Sequence, residues 1–83
     1  MRFYFTRHSK GKFFSMKKSG FSVNAEKIKK TILSPIKKEK KSDGTFINTT
    51  LLDKTHVLRV VYRSQDDIMI IITFYPGRKK FYL

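Results

Sequence analysis

The chain contains no cysteine, only two prolines and only six acidic residues among its 83 positions. Without cysteine it can form neither a disulfide framework nor a thiolate metal site, and it has no thiol nucleophile. Its longest apolar run, Ile68–Ile72, is far shorter than the roughly 20 residues that a membrane helix needs. The first residues, MRFYFTRH, lack the apolar stretch of a secretory signal. We therefore expect a soluble, cytoplasmic protein with no membrane partner.

The scarcity of acidic residues leaves a large positive charge. Nineteen lysines and arginines give a formal net charge of +13, and such a charge attracts polyanions. Nucleic acid, an acidic protein or an anionic membrane would each match it, and the first two are compatible with each other. With 40% hydrophobic residues, the chain can bury one core. We expect a single domain, residues 1–83, with residues 79–83 as a candidate flexible basic tail.

Two helices are predicted in the first half of the chain. Thr6 is a candidate N-cap for a helix that runs to about residue 19, and Gly20 is expected to end it in the left-handed conformation. Ser22 is a candidate N-cap for a second helix over about residues 23–33. Apolar residues on one face of that helix and lysines on the others predict that it packs against a core.

Strands are predicted on both sides of the helices. Arg2–Phe5 is short and aromatic, and the segments IKKEKK and TFINTTLL flank a turn at Asp43-Gly44. His56–Arg63 and Ile68–Tyr75 form a last hairpin, which Pro76-Gly77 is expected to end. The order β-α-α-β-β-β-β predicts an α+β domain. Its two N-terminal helices pack on one face of a mostly antiparallel sheet of four to five strands.

Arg59 and Arg63 interrupt the apolar hairpin. Strand alternation places them on one face and Leu58 on the other. Burying arginines without partners is costly, so we expect the helices to cover the Leu58 face and leave the arginine face open. A guanidinium there could donate two parallel hydrogen bonds to a phosphate. The alternative is that the arginines only make an exposed strand soluble.

Two patterns carry a resemblance to a known family. The first is FTxHxxxKF at Phe5–Phe13, and the second is LRVVYR followed by IIITFYP between Leu58 and Pro76. Together they resemble a family of small domains of unknown function that is grouped with the RelE/ParE and BrnT-type toxins and the barnase-like ribonucleases. The resemblance covers about residues 3–79 and implies a RelE/barnase-like domain.

The resemblance also implies a function. It suggests the toxin half of a toxin-antitoxin pair, acting as a metal-independent endoribonuclease on RNA or at the ribosome. The implied partners are RNA or the ribosome and a small acidic antitoxin, which the positive charge would attract. No cofactor is implied.

Four residues are candidates for catalysis. Metal-free RNA cleavage needs a base, an acid and cations that stabilise the phosphorane-like transition state. His8, where the family has a histidine, could transfer a proton, and Lys12 lies one helical turn later. Arg59 is the candidate phosphate ligand, and Tyr75 lies where RelE-like relatives often carry functional side chains. The structural alternatives are helix capping for His8, a solvated surface for Lys12 and aromatic packing for Tyr75.

Other cations are candidates for RNA contacts, because they lie beside the last two strands or in lysine runs. These candidates are Arg63, Arg78, Lys79, Lys37 and Lys38. The two histidines are far apart in the sequence and the acidic residues are scattered, so no metal site is predicted. His56 is expected to be a strand-edge residue.

Two other functions remain open. A non-catalytic RNA-binding module would keep the fold and the charge but would not cleave its ligand. A ParE-like protein would instead inhibit a protein target such as a topoisomerase.

Overall fold

The computed structural model describes residues 1–83, which form one five-stranded sheet with three helices. Along the chain the elements are β1 (Arg2–Phe5), α1 (Arg7–Lys18), α2 (Ala25–Leu33), β2 (Lys37–Lys40), β3 (Phe46–Leu51), β4 (His56–Gln65), β5 (Ile68–Arg78) and α3 (Lys79–Tyr82). The α+β class and the order of the first seven elements are confirmed. No helix in the structure has both the length and the apolar character needed to cross a membrane.

The strand order is β1-β5-β4-β3-β2. Consecutive strands from β2 to β5 pair antiparallel, whereas β1 pairs in parallel with β5, with Arg2 opposite Ile68. The sheet is therefore mixed, and the expectation of a mostly antiparallel sheet is corrected. The helices and the other three strands lie between β1 and β5 in sequence. Because no hairpin joins β1 to β5, the two strands are free to pair in parallel.

The helix caps fit one prediction and correct another. Thr6 caps α1 by accepting a hydrogen bond from the backbone N–H of Ser9, and Gly20 follows the helix with φ +93°. The N-cap of α2 is Asn24, whose side chain accepts from the backbone N–H of Lys27. Ser22 was therefore the wrong cap, because α2 begins only at Ala25 and the residues before it, Phe21 and Val23, pack against the core.

β5 continues beyond its predicted end and runs through Pro76 and Gly77 to Arg78. Proline is tolerated there because β1 pairs with β5 only as far as Ile71, so the second half of β5 has a free edge. The expectation that Pro76-Gly77 ends the strand was wrong. The extension brings Arg78 directly opposite His56 of β4.

The core lies between the sheet and the two longer helices. As expected, α1 and α2 cover the Leu58 face of β4, and the ring of Phe13 packs 4.8 Å from that of Phe74. The fully or almost fully buried members of this core are Met16, Ile28, Ile32, Leu58, Val60, Tyr62, Ile71 and Phe74.

Candidate nucleic-acid interface

The four predicted catalytic residues lie on two sides of the sheet. His8 is exposed and Lys12 half-buried on α1, which packs on the Leu58 face. Arg59 and Tyr75 lie directly opposite each other on β4 and β5 and project from the other face. The sheet therefore separates His8 and Lys12 from Arg59 and Tyr75, and the structure does not bring the four together.

Arg59 is not on an open surface. Its residue exposure is only 6%, and Nη2 donates to Oε2 of Glu39 at 3.1 Å. The guanidinium carbon lies 4.0 Å from the centre of the Tyr82 ring and 5.9 Å from that of Tyr75. The expectation of an open arginine face fails at Arg59 because α3 folds back over it and β2 supplies Glu39. It holds only for Arg63, which is exposed.

The predicted RNA contacts are also dispersed. Arg63 and Arg78 lie at opposite ends of the β4–β5 hairpin. Lys37 and Lys38 are exposed on the edge strand β2, where Lys37 Nζ lies 3.4 Å from the backbone oxygen of Tyr82. Arg78 and Lys79 are adjacent where β5 ends and α3 begins.

These two residues belong to a pocket of about 350 Å³ at that end of the sheet. We call it the cationic pocket; its lining residues are Lys54, Thr55, Arg78, Lys79, Lys80 and Leu83. The backbone N–H of Lys79 donates to the oxygen of Thr55 at 2.8 Å, which holds the start of α3 against the turn between β3 and β4. Four of the six lining residues have a positively charged side chain, and none has a negatively charged side chain.

A second basic surface follows α2. Its open groove, of about 520 Å³, is lined by Lys27, Lys29 and Lys30 among others. Glu26 also lines it and lies 3.8 Å from Lys29 Nζ. Because this carboxylate offsets part of the positive charge, the groove is a weaker anion site than the cationic pocket.

An aspartate and a histidine form a pair beside the cationic pocket. The carboxylate oxygens of Asp53 lie 3.0 and 3.2 Å from Nδ1 of His56, and the ring of Phe21 packs against the imidazole at 4.9 Å. When Nδ1–H donates to Asp53, the free lone pair of the neutral ring is on Nε2. His56 and Arg78 are cross-strand partners, so the pair adjoins the pocket.

Asp53 also shapes the turn that carries this pair. Its Oδ1 accepts the backbone N–H groups of Thr55, at 2.9 Å, and His56, at 2.8 Å. These hydrogen bonds, with that of Thr55 the largest cause, hold the pKa of the Asp53 carboxyl below its ordinary value of 3.8. The group is therefore a carboxylate at neutral pH.

No sequence pattern had predicted a role for Lys54, Lys80 or the Asp53–His56 pair. The local signal was the segment DKTH, in which an aspartate precedes a histidine by three residues in a turn. The pairing of β4 with β5 as far as Arg78 would have brought this turn beside the basic C-terminal segment. Because Pro76-Gly77 was expected to end β5, the sequence did not predict that proximity.

No group of three or more histidine, cysteine, aspartate or glutamate side chains is placed to hold a metal ion. Comparisons with protein families, with curated proteins and with solved structures found no match.

Proposed function

We propose that this protein binds RNA through the cationic pocket, with contacts to the phosphate backbone rather than to base sequence. The observation that carries the proposal is the pocket itself, which Lys54, Arg78, Lys79 and Lys80 line together and which no acidic side chain lines. The net charge of +13 adds a long-range attraction for any polyanion.

The geometry suits a polyanion better than a small neutral ligand. All four cationic residues come from exposed positions at one end of the sheet, so their side chains can reach phosphates without a large desolvation cost. Each phosphate that they neutralise releases condensed counterions, which makes the affinity strongly dependent on salt. RNA is the favoured polyanion because of the resemblance to RelE/barnase-like proteins.

The test compares two double variants with the same loss of charge. Lys79→Gln/Lys80→Gln removes two cations from the pocket, whereas Lys40→Gln/Lys41→Gln removes two exposed cations outside it. We expect the pocket variant to bind a fluorescent RNA about tenfold more weakly. The slope of log affinity against log salt should be smaller by about 1 to 2.

Fluorescence anisotropy over a range of salt concentrations gives both quantities. The Lys40→Gln/Lys41→Gln control should change the affinity by less than about threefold, since only general attraction is reduced. Equal losses of RNA affinity in the two double variants would show that binding is spread over the whole surface and would refute the assignment of RNA binding to the cationic pocket. Failure of the wild-type protein to bind RNA would refute the function.

A second candidate function is cleavage of the bound RNA, as in the proposed endoribonuclease toxin. The observation that favours it is the Asp53–His56 pair beside the pocket. Nε2 of His56 would take the proton of a 2′-hydroxyl while O2′ attacks phosphorus and the P–O5′ bond breaks. The departing O5′ would take a proton from a lysine ammonium group of the pocket, which leaves a 2′,3′-cyclic phosphate and a 5′-hydroxyl.

The two histidines provide a matched test of this candidate. With end-labelled RNA in the presence of a metal chelator, His56→Ala should reduce the cleavage rate by about 100-fold or more, and His8→Ala should leave it unchanged. Asp53→Asn keeps the side-chain oxygen that the turn needs but removes the carboxylate, so it should slow cleavage without unfolding the protein. No cleavage by the wild-type protein, with RNA binding intact, would leave the non-catalytic binding function alone.

A further inference from the structure

Phe81 is the most exposed of the large hydrophobic side chains, at 72%. It lies in α3, between Lys80 and Leu83, which both line the cationic pocket. The Nζ atom of Lys80 lies 5.3 Å from the centre of the Phe81 ring. An aromatic face is thus presented to solvent at the rim of the site where we place the phosphates.

The exposure of Phe81 follows from how α3 is anchored. Tyr82 packs against the Arg59 guanidinium, and the backbone of Lys79 is bound to Thr55. Successive residues of a helix are turned by about 100°, so a helix with Tyr82 directed at the sheet turns Phe81 away from it. The short helix therefore holds the ring outward rather than leaving it on an unstructured chain end.

We propose that Phe81 stacks on an unpaired base of an RNA whose backbone phosphate occupies the cationic pocket. The ligand class is therefore single-stranded RNA, and this inference rests on the proposed RNA-binding function. Base stacking on an exposed aromatic residue beside a positively charged groove is the general mode of single-strand binding, and every base offers a π face. The faces of the bases in a duplex are already stacked on one another, so Phe81 has no partner there.

The chain offers a close control for this role. Phe14 on α1 is 67% exposed and has Lys18 Nζ at 5.6 Å from its ring centre, so its surroundings resemble those of Phe81. No residue of α1 lines the cationic pocket, whereas Phe81 lies in sequence between Lys80 and Leu83, which do. If exposure beside a lysine were sufficient, both phenylalanines would contribute to binding; if stacking requires the pocket phosphate, only Phe81 will.

The experiment measures affinities for a short unstructured RNA and for a duplex that contains the same strand. Phe81→Ala should weaken single-strand binding at least about fivefold, the lower limit for loss of one stacked base, and should leave duplex binding unchanged. Phe81→Leu, which keeps an apolar side chain but no ring, should lose as much as alanine. Phe14→Ala should match the wild-type protein on both ligands.

Several results would overturn the inference. Unchanged single-strand affinity in Phe81→Ala, while Lys79→Gln/Lys80→Gln loses RNA, would refute stacking and leave the proposed function standing. Equal losses on both RNAs, or full rescue by leucine, would show that Phe81 makes a non-specific apolar contact. If the wild-type protein does not bind RNA but binds vesicles of anionic lipid, and Phe81→Ala abolishes the vesicle binding, both the inference and the proposed function are refuted.

Discussion

At the scale of single residues, Asn48 joins the sheet to the helical layer. It is fully buried, and its Nδ2 donates to the backbone oxygens of Thr31 and Ile32 at the end of α2. Its Oδ1 accepts the hydroxyl of Tyr62 at 3.2 Å. One amide thus satisfies polar groups of a helix and of a neighbouring strand inside the core.

We expect Asn48→Ala to lower the free energy of unfolding by about 2 to 3 kcal/mol, because it leaves several buried polar groups without partners. Urea denaturation followed by circular dichroism measures the change. Asn24→Ala, which removes the exposed cap of α2, is the control and should cost only about 1 kcal/mol. If Asn48→Ala lowers the free energy of unfolding by no more than Asn24→Ala does, the core relaxes around the missing side chain or admits water.

The turn at Asp53 predicts a dependence on acid. A carboxyl group whose pKa is lower in the folded than in the unfolded state stabilises the fold at pH values above its unfolded-state pKa, which is 3.8 for Asp53. That contribution is lost as the pH falls through the lower, folded value. Below about pH 3.8 the melting temperature of the wild-type protein should therefore fall more steeply than that of Asp53→Asn. Parallel curves for the two proteins would show that the Asp53 charge does not stabilise the turn.

For Arg59, the sequence predicted the correct face of the sheet but not the burial of the side chain. Strand alternation correctly placed it on the face opposite Leu58. Its exposure could not be read in the same way, because the covering groups, Glu39 and Tyr82, come from segments about 20 residues away on either side in sequence. Removing Arg59 would leave the Glu39 carboxylate half-buried without its partner, so Arg59→Ala would perturb folding as well as any site.

At the scale of elements, α3 is the feature that the sequence analysis treated as a tail. Its four residues, Lys79–Tyr82, are too short to be recognised from apolar periodicity, and a basic run at a chain end is normally solvated. Packing of the Tyr82 ring on Arg59 fixes it. Thr6 and Gly20, by contrast, lie in local patterns that suffice to place α1.

Gly77 allows the docking of α3 to be tested. A Cβ at this position would lie 2.5 Å from Cε2 of Tyr82, so Gly77→Ala should push the Tyr82 ring off Arg59 and loosen the helix. Trypsin cleavage after Lys79 and Lys80, followed by mass spectrometry, should become faster than in the wild-type protein.

Gly11→Ala is the control for that experiment. Gly11 lies inside α1, and nothing is within 4 Å of a Cβ built there, so alanine should stabilise the protein by about 0.5 to 1 kcal/mol. It should not alter cleavage in α3. An unchanged cleavage rate for Gly77→Ala would mean that Tyr82 finds a second docked position.

At the scale of the whole molecule, the fold class and the order of the first seven elements were predictable, but the strand order of the sheet and the site were not. Local patterns identify a strand without naming its neighbour, so the parallel pairing of β1 with β5 was missed. The cationic pocket is likewise assembled from the turn near Lys54 and the segment after β5. The toxin function, the acidic antitoxin and a ParE-like protein target stay predictions that the fold alone does not test.

The pairing of β1 with β5 also constrains how the protein is made. Thr6 hydrogen-bonds to Ile72, 66 residues further along the chain, and the partners of β1 begin at Ile68. During synthesis the aromatic strand RFYF therefore stays unpaired until most of the domain has left the ribosome. Such long-range closure slows folding and exposes an adhesive edge while it lasts. The lysines and arginines abundant throughout the chain keep nascent copies apart by mutual repulsion during that interval.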